Sequence, residues 1–199
     1  AFVTHIDRLR PYIEQSPGIT WFEIVTIIAF LHFADSNLDA AVVEVGLGGR
    51  LDATNVLMPD VSVITSLSLD HTQLLGDTLS QIAFEKGGII KLGVPVVSAP
   101  QKPEALDKLV EICAERNAPL TIVGRDWRYE SVHKRVNQHD RRRLIVLNGP
   151  DSDFITAGTS FTVGLIGGHQ VENAAVALAA LEKVRGRFPS LDMAAVQAG

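Results

Sequence analysis

Apolar side chains recur every three or four residues in one early part of the chain, at Ile24, Ile27, Ile28 and Leu31. This spacing places them on one face of a helix. Thr20 precedes the run, and Glu23 lies three residues after Thr20, which is the pattern of an N-terminal capping box. The pattern therefore predicts a helix from Trp21 to Phe33.

Short apolar runs rich in β-branched residues then alternate with helical patterns. The runs that predict strands are DAAVVEV (39–45), VSVITSL (61–67), VPVVSA (94–99) and LTIVG (120–124). Between them, residues 79–86 predict a helix that begins with a second capping box, Thr78 and Gln81, and residues 102–117 predict another. Such alternation is typical of a parallel sheet covered by helices. The predicted fold class is therefore α/β, a mostly parallel sheet flanked by helices.

The pattern changes after Gly124. Two alternating segments, WRYESVHKRV (127–136) and RRRLIVLNG (141–149), flank a polar turn, NQHD, and are followed by DFITA (153–157) and SFTVGLIG (160–167). These segments predict antiparallel strands, so we expect a small β-rich excursion over residues 125–165. Residues 169–188 then predict a helix with small side chains at its close-packing positions.

Composition limits the classes of protein that fit this pattern. Of the 199 residues, 46% are hydrophobic and 21% are charged, which suits a packed core rather than disorder. The formal net charge of -5 argues against general nucleic-acid binding, which usually needs a basic face. The basic segment HKRVNQHDRRR (133–143) is the only support for that alternative.

The cysteine count and the most apolar segment bear on the cellular compartment. The single cysteine, Cys113, excludes an internal disulfide framework and fits a reducing compartment, so we expect a cytoplasmic protein. The most hydrophobic run, residues 19–34, contains Glu23, Thr26 and His32 and is too short to span a bilayer. We therefore interpret this run as a helix buried in a core.

The stretch AAVVEVGLGGRLDATN (40–55) combines an apolar run, a carboxylate and three glycines. The glycines fit neither the dinucleotide-binding pattern nor the phosphate-loop pattern, and a tight turn explains them. Glu44 would end a buried strand and face the crevice where α/β proteins bind ligands. An unpaired carboxylate is costly there, so we expect a cation or a hydrogen-bond partner beside it.

Two further residues are candidates for chemistry. His71 follows the next predicted strand, directly after Asp70, and a structural histidine is the alternative interpretation. Carboxylate and water ligands suit Mg²⁺, with an imidazole as a less usual partner, so Glu44 and His71 together suggest a metal site. Lys86 lies at the end of the predicted helix 79–86, where a cation interacts favourably with the helix dipole, and this effect alone would explain it.

Four segments match one known protein family in their order and spacing: TWFE (20–23), EVGLGGRLDATN (44–55), ITSLSLDHTQLLGDTLSQIAFEKGGIIKLGVPVV (64–97) and GGHQVENAAVALAAL (167–181). They resemble the folylpolyglutamate synthase/dihydrofolate synthase family of Mur-ligase-like, ATP-dependent amide ligases. The resemblance runs from about Phe2 to Leu181 and is weakest over residues 125–160. One departure is Gly87, where the family usually has alanine, and a glycine there would loosen the helix that carries Lys86.

The resemblance implies an enzyme, an ATP-dependent carboxylate–amine ligase. Family members add L-glutamate to dihydropteroate, to tetrahydrofolate and its polyglutamates, or to both. ATP phosphorylates the carboxylate, and the glutamate amine then displaces phosphate from the acyl phosphate. The implied cofactors are ATP, Mg²⁺ at two sites and a carbamylated lysine. The implied partners are these small molecules, with neither nucleic acid nor membrane, and the complete enzyme is expected to be a monomer.

The resemblance also implies roles for individual residues. Glu44 and His71 match magnesium ligands, Lys86 matches the lysine carried as a carbamate, and these three are the expected catalytic residues. Asn173 matches an asparagine that contacts ATP, with a polar residue near a helix cap as the alternative. Seven residues match segments that line the pterin pocket: Thr20, Trp21, Phe22, Glu23, Leu51, Asp52 and Ala53. Glu23 also has the capping-box role, and Asp52 could equally be a turn residue.

Parts of the family's pattern have no counterpart in this sequence. They are the glycine-rich phosphate loop, a serine ligand to magnesium and the C-terminal domain. We therefore expect residues 1–185 to form an incomplete central ATP-binding domain, residues 186–199 to begin a linker toward an absent C-terminal domain, and the chain alone to be inactive. The alternatives are a peptidoglycan-precursor ligase of the same superfamily, against which LDATN and TWFE argue, and a non-catalytic folate- or partner-binding remnant.

Overall fold

The computed structural model describes residues 2–136, 139–149 and 154–198. The chain divides into two compact units, Ala1–Leu57 and Met58–Gly199.

The first unit contains two helices, α1 (Phe2–Glu14) and α2 (Trp21–Asp35), and a short 3₁₀ turn, Ala53–Val56. The predicted capping box at the start of α2 is confirmed, and the helix extends two residues beyond the prediction. The pattern of the sequence did not predict α1, which has Pro11 in its interior. An ion pair between Arg8 of α1 and Asp35 of α2, with 2.6 Å between Nη1 and Oδ2, links the two helices.

The predicted strand at residues 39–45 is wrong in this structure. The segment is irregular and largely exposed, and the side chain of Val42 is 99% exposed. A parallel strand needs a neighbouring strand to bond its N–H and C=O groups. The described part of the first unit holds no strand that could serve as this neighbour. Glu44 therefore lies on an irregular segment and not at the end of a strand.

The second unit contains the parallel sheet that the sequence predicts. Its strands are β1 (Ser62–Ile64), β2 (Val96–Ser98) and β3 (Leu120–Ile122), which pair in the order β1-β2-β3. Both pairings are parallel, with Val97 opposite Val63 on one side and Thr121 on the other. Each strand is three residues long, shorter than predicted, but the mixed α/β fold class is confirmed.

Helices α3 (Thr72–Leu75), α4 (Leu79–Gly87) and α5 (Pro103–Glu115) belong to this sheet region. The predicted capping box of α4 is confirmed, with the Gln81 N–H donating to Thr78 Oγ1 over 3.2 Å. Side chains of β1, β2, α4, α5 and the segments that follow β1, α4 and α5 form one buried core cluster: Ile64, Leu67, Leu79, Ala83, Ile90, Val96, Ala105, Leu109, Ile112, Cys113 and Ala118.

A separate antiparallel sheet consists of β4 (Arg128–Val136), β5 (His139–Asn148) and β6 (Ser160–Val163). It confirms the predicted β-rich excursion. Of the predicted turn NQHD, Asn137 and Gln138 lie outside the described residues, and the other two residues belong to β5. The predicted strand DFITA is wrong over Phe154–Ala157, which form bends and turns beside a tight turn at Gly158. Asp153 lies outside the described residues.

The chain ends with α6 (His169–Val184), a 3₁₀ turn (Arg185–Arg187) and α7 (Met193–Ala198). Helix α6 packs on β2 and β5 through small and β-branched side chains, as its composition predicts. None of the helices within the described ranges combines the length and the apolar character needed to cross a membrane. The predicted boundary at residues 185 and 186 stays a prediction.

Cys113 should be chemically silent in the folded protein. Its side chain is 4% exposed, and burial raises the pKa of the thiol to about 11 although the Arg116 charge acts in the opposite direction. Thiolate, the reactive form, is therefore scarce near neutral pH. At pH 8 we expect a thiol reagent to modify Cys113 at least about tenfold more slowly in the native chain than in urea. Equal rates in the two conditions would show that the site opens freely.

The raised pKa of the Cys113 thiol also predicts that the folded state loses stability in alkali. Its pKa in the folded state is about 11 and the ordinary value is 9.0, so the folded state holds the proton more tightly. The stability that this pKa difference gives to the folded state is fully present below pH 9 and is lost as the pH rises toward 11. It amounts to about 2 kcal/mol. Urea titrations of the native chain and Cys113→Ala should show a smaller decline between these pH values in the variant.

Candidate functional site

The loop from Gly46 to Asn55 is organised around the carboxylate of Asp52. One carboxylate oxygen accepts hydrogen bonds from the N–H groups of Gly46 (3.1 Å) and Leu47 (3.0 Å). The other accepts from the N–H (2.9 Å) and the hydroxyl (2.5 Å) of Thr54 and so caps the 3₁₀ turn. Both oxygens therefore bond within the loop. This is the turn role that the sequence left open for Asp52, while a contact with a pterin stays a prediction.

The electrostatics of Asp52 agree with this role. Partial burial on its own would raise the pKa of the carboxyl, but the hydrogen bonds from Thr54, Leu47 and Gly46 outweigh it and the pKa is lowered. The carboxylate is thus held in its charged form, in which it accepts these bonds.

Replacing Asp52 by asparagine should open this loop. Asparagine has one acceptor oxygen in place of two, so either the N–H groups of Gly46 and Leu47 lose their partner or the N–H group of Thr54 does. We expect about 2 kcal/mol less protection from hydrogen exchange at the amides of Gly46 and Leu47 or, if the new amide turns its oxygen toward them, at the amide of Thr54. Asp39→Asn, an exposed change of the same charge in the same unit, is the control. Unchanged protection in Asp52→Asn would contradict the central role of this carboxylate.

The pH dependence of the loop follows from the same pKa. Because the folded pKa lies below the ordinary 3.8, the contribution of Asp52 is present above that value and is lost as the pH falls through the folded pKa. Protection of the two amides should therefore decline in wild type below about pH 4.

The three glycines of this loop lie in different surroundings. A Cβ on Gly46 would lie 2.4 Å from the Phe22 ring, so the ring packs directly against the backbone and would have to move to admit a larger residue. Gly48 has a φ of 68°, which favours glycine, and supplies the predicted tight turn. Gly49 is buried. The contact between Phe22 and Gly46 links α2 to the loop from Gly46 to Asn55, and no sequence pattern indicates it.

The remaining residues of those segments are placed as follows. The Thr20 N–H and hydroxyl each donate to Glu23 Oε2 over 2.7 Å, and these bonds, the hydroxyl's first, lower the pKa of Glu23. The capping role of Glu23 is thus present. Trp21 is 69% exposed and Leu51 is 80% exposed, so both offer apolar surface to solvent. Ala53 begins the 3₁₀ turn that Asp52 caps.

His71 occupies an unusual backbone conformation. Its φ of 51° and ψ of 35° lie in the left-handed region, where few residues other than glycine are found. Its carbonyl accepts the first hydrogen bonds of α3, from Leu74 and Leu75. The Asp70 carboxylate accepts from the His71 N–H over 2.8 Å and lies 3.7 Å from Nε2, which is too long for a hydrogen bond. The imidazole is exposed, so the strain does not result from core packing.

Lys86 lies in the last turn of α4, as predicted, and is half-buried. Next to it, Gly87 faces α5, where an added Cβ would lie 2.6 Å from Ile112 Cδ1. The two helices therefore approach closely here, and the end of the Ile112 side chain would have to shift to admit a larger residue. Asn173 lies in the second turn of α6, is exposed, and donates from Nδ2 to Gln170 Oε1 over 3.3 Å.

The sequence analysis missed Gln101. Its amide accepts from the Leu67 N–H (3.0 Å) and donates to the Thr65 carbonyl (2.8 Å), which holds the segment between β1 and His71. A glutamine before a lysine and a proline gives no signal for this role in the sequence. Only the contact between segments 34 to 36 residues apart shows it.

The residues present suit a magnesium ion better than a metal held by protein alone. Within the described residues, no three His, Cys, Asp or Glu side chains are grouped so that they could hold a metal ion. Mg²⁺ needs only one or two protein carboxylates because it keeps water and binds substrate phosphates. Glu44 has an exposed carboxylate and His71 an exposed imidazole, so each side chain on its own could offer a ligand atom to such an ion.

Comparison with known proteins identifies the family. The Mur ligase middle domain matches residues 11–181. The dihydrofolate synthase/folylpolyglutamate synthase of Bacillus subtilis (strain 168) is 37% identical over 186 residues, which cover 89% of this chain and 41% of that protein.

Solved structures agree. The apo form of L. casei FPGS matches 98% of this chain and 48% of its own, with a TM-score of 0.84 and 30% identity. An FPGS-AMPPCP-folate complex matches 94% of this chain and 45% of its own, with a TM-score of 0.80 and 32% identity. The chain spans less than half the length of these relatives. The match over most of its residues shows that this chain belongs to the Mur ligase middle-domain family.

Proposed function

We propose that this chain is part of an ATP-dependent ligase that adds L-glutamate to dihydropteroate, to tetrahydrofolate and its polyglutamates, or to both. The observation that carries the proposal is the similarity to the FPGS-AMPPCP-folate complex, which extends over 94% of the chain. That protein binds an ATP analogue and folate. The B. subtilis relative, whose name includes both synthase activities, adds support from the sequence.

The proposed reaction has two steps. A carboxylate oxygen of the folate substrate attacks the γ-phosphorus of ATP, and ADP leaves. The amine of L-glutamate then attacks the acyl carbon of the acyl phosphate, phosphate leaves, and the amine loses a proton as the amide forms. Charge builds up on the phosphate oxygens in the first step, so positive groups around them would accelerate it.

Glu44 and His71 are proposed to hold magnesium, and Lys86 to act as a carbamate at a second magnesium. When bound, Mg²⁺ neutralises phosphate charge and orients the phosphate oxygens. A carbamate on Lys86 would convert a cation into an anion suited to that ion. The strained backbone of His71 supports its assignment, because such strain often occurs at functional residues.

Asn173 is proposed to contact ATP through its side-chain amide. The exposed apolar side chains of Trp21 and Leu51 suit the flat ring system of a pterin. In this proposal Phe22 and Asp52 shape the pocket, since both already make contacts that hold the loop from Gly46 to Asn55. We also propose that the protein is a cytoplasmic monomer, and that this chain is inactive without the remaining parts of its relatives.

The experiment expresses the protein from the whole open reading frame. Phosphate release from ATP is measured with L-glutamate and either dihydropteroate or tetrahydrofolate, and then with a peptidoglycan precursor. We expect release with at least one folate substrate, only when glutamate and Mg²⁺ are present. Phosphate release with the peptidoglycan precursor but with neither folate substrate would favour a peptidoglycan-precursor ligase of the same superfamily. Folate binding without any release would favour the non-catalytic alternative.

A further inference from the structure

The C-terminal end of α4 is weakly closed by its own backbone. One of its backbone hydrogen bonds has an ordinary length, from the Ile90 N–H to the Gly87 carbonyl (3.0 Å). Two others are long, from the N–H groups of Gly88 and Ile89 to the carbonyls of Glu85 and Lys86 (3.3 and 3.4 Å). Two successive glycines follow Lys86, and glycine is among the least favourable residues in a helix. The local sequence alone would therefore leave the turn that carries Lys86 poorly fixed.

Arg116, at the end of α5, adds side-chain hydrogen bonds to this helix end. Its guanidinium donates from one nitrogen, Nη1, to the carbonyls of Gly87 (3.4 Å), Gly88 (3.3 Å) and Ile90. The Gly87 carbonyl belongs to the last residue of α4 and also accepts from the Ile90 N–H over 3.0 Å, and the other two carbonyls lie just beyond the helix. Arg116 thus joins the ends of two neighbouring helices.

The position of Arg116 is itself well defined. It is the C-cap of α5, and Asn117 follows in the left-handed region with a φ of 46°. The N–H groups of Asn117 and Ala118 donate to the carbonyls of Ala114 (3.2 Å) and Cys113 (2.9 Å), which is the hydrogen-bond pattern of a Schellman motif. The carbonyl of Arg116 also accepts from the Gly93 N–H over 2.8 Å.

This geometry changes the interpretation of Lys86. The sequence left open that Lys86 serves only as the cation at the negative end of the α4 dipole. Arg116 already places a cation on the carbonyls of that end, so the capping role does not require Lys86. Within the described residues, the Lys86 amine takes part in no ion pair.

We propose that Arg116 is a positioning residue that fixes the last turn of α4 and thereby holds Lys86 in place for the reaction. The proposal rests on the function proposed above for Lys86. It needs no contact between Arg116 and substrate, because Arg116 acts through the backbone at residues 87–90.

The test uses the protein from the whole reading frame and two substitutions. Arg116→Met keeps the apolar stem but has no donor, and Arg116→Lys keeps the charge without the planar fork. Arg125→Met, which removes the same charge from an exposed ion pair with Asp126, is the matched control. We expect hydrogen exchange at the amides of residues 88–90 to be about tenfold faster in Arg116→Met than in wild type. The increase should be smaller in Arg116→Lys and absent in the control. Unchanged exchange in Arg116→Met would overturn the proposal.

Turnover then separates this proposal from the proposed function. We expect Arg116→Met to lower kcat about tenfold with little change in KM for ATP, and to have no further effect in a Lys86→Ala background. Equal effects of Arg116→Met with and without Lys86 would overturn the positioning role in catalysis. If Lys86→Ala alone leaves turnover unchanged, the function proposed for Lys86 fails, while faster exchange in Arg116→Met would still support its hold on the helix end.

Discussion

Replacing His71 by glycine should make the protein more stable and much less active. The left-handed backbone of His71 is unfavourable for a residue with a Cβ and costs nothing for glycine. Glycine should therefore raise the free energy of unfolding by up to about 1 kcal/mol. If the imidazole is a magnesium ligand, its loss should lower kcat/KM by more than about a hundredfold, the upper range for groups that only orient metal ligands.

Two variants separate the backbone effect from the side-chain effect. His71→Ala removes the imidazole but keeps a Cβ. It should therefore have the same activity as His71→Gly, and its free energy of unfolding should be about 1 kcal/mol lower than that of His71→Gly. His71→Asn keeps a residue that tolerates this conformation and should be close to wild type in stability. Urea unfolding gives the stability, and glutamate-dependent phosphate release from the whole-frame protein gives the activity.

The opposite combination would reject the assignment. A glycine variant that is more stable and keeps its turnover would show that His71 is an ordinary left-handed helix cap. A glycine variant that is less stable would mean that the imidazole contributes packing that its exposure does not indicate. Stability and activity that move in opposite directions are the signature of strain retained for function.

The elements that depend on neighbouring residues could be predicted from the sequence. Both capping boxes, Thr20 with Glu23 and Thr78 with Gln81, form as predicted because the donors and acceptors lie three residues apart. The order of β1, α4, β2, α5 and β3 was also predictable, since short β-branched runs and amphipathic runs alternate. These features need no knowledge of distant contacts.

The elements that depend on distant partners could not be predicted in this way. Residues 39–45 have the composition of a buried strand, but the described residues 2–57 of their unit contain no strand beside them, and composition cannot show whether a neighbour is present. Gly46 was interpreted as a turn residue, and the structure adds a close contact with the Phe22 ring. The bonds of Arg116 to the end of α4 cross 26 to 29 residues and leave no local pattern.

In the candidate site too, some features could be predicted from the local sequence and others could not. Position in the chain sufficed to place Lys86 in the last turn of α4 and Asn173 near the start of α6. The resemblance to a family, and not the pattern of the residues, suggested what these side chains do. The left-handed conformation of His71 had no signal in the sequence, although it is the structural feature that supports its role most directly.

Trp127→Ala should have the largest effect on stability. The Trp127 side chain is 0% exposed and packs in the core formed by the antiparallel sheet, β2 and α6. Its Nε1–H donates to Glu182 Oε2 over 3.0 Å, and its ring lies 6.5 Å from the ring of Tyr129. Truncation of a buried tryptophan leaves a cavity and removes this bond, so we expect a loss of about 4 kcal/mol in the free energy of unfolding.

The chain contains a matched control, because its second tryptophan, Trp21, is 69% exposed. Trp21→Ala should change stability by less than about 0.5 kcal/mol. In that variant Trp127 is the only tryptophan, so its fluorescence follows the second unit alone, and circular dichroism follows unfolding in Trp127→Ala. Trp127→Phe keeps most of the ring volume but loses the donor, and an intermediate loss of about 2 kcal/mol is expected. Equal urea midpoints for Trp127→Ala and Trp21→Ala would contradict this core, because the two positions differ in burial and not in the atoms removed.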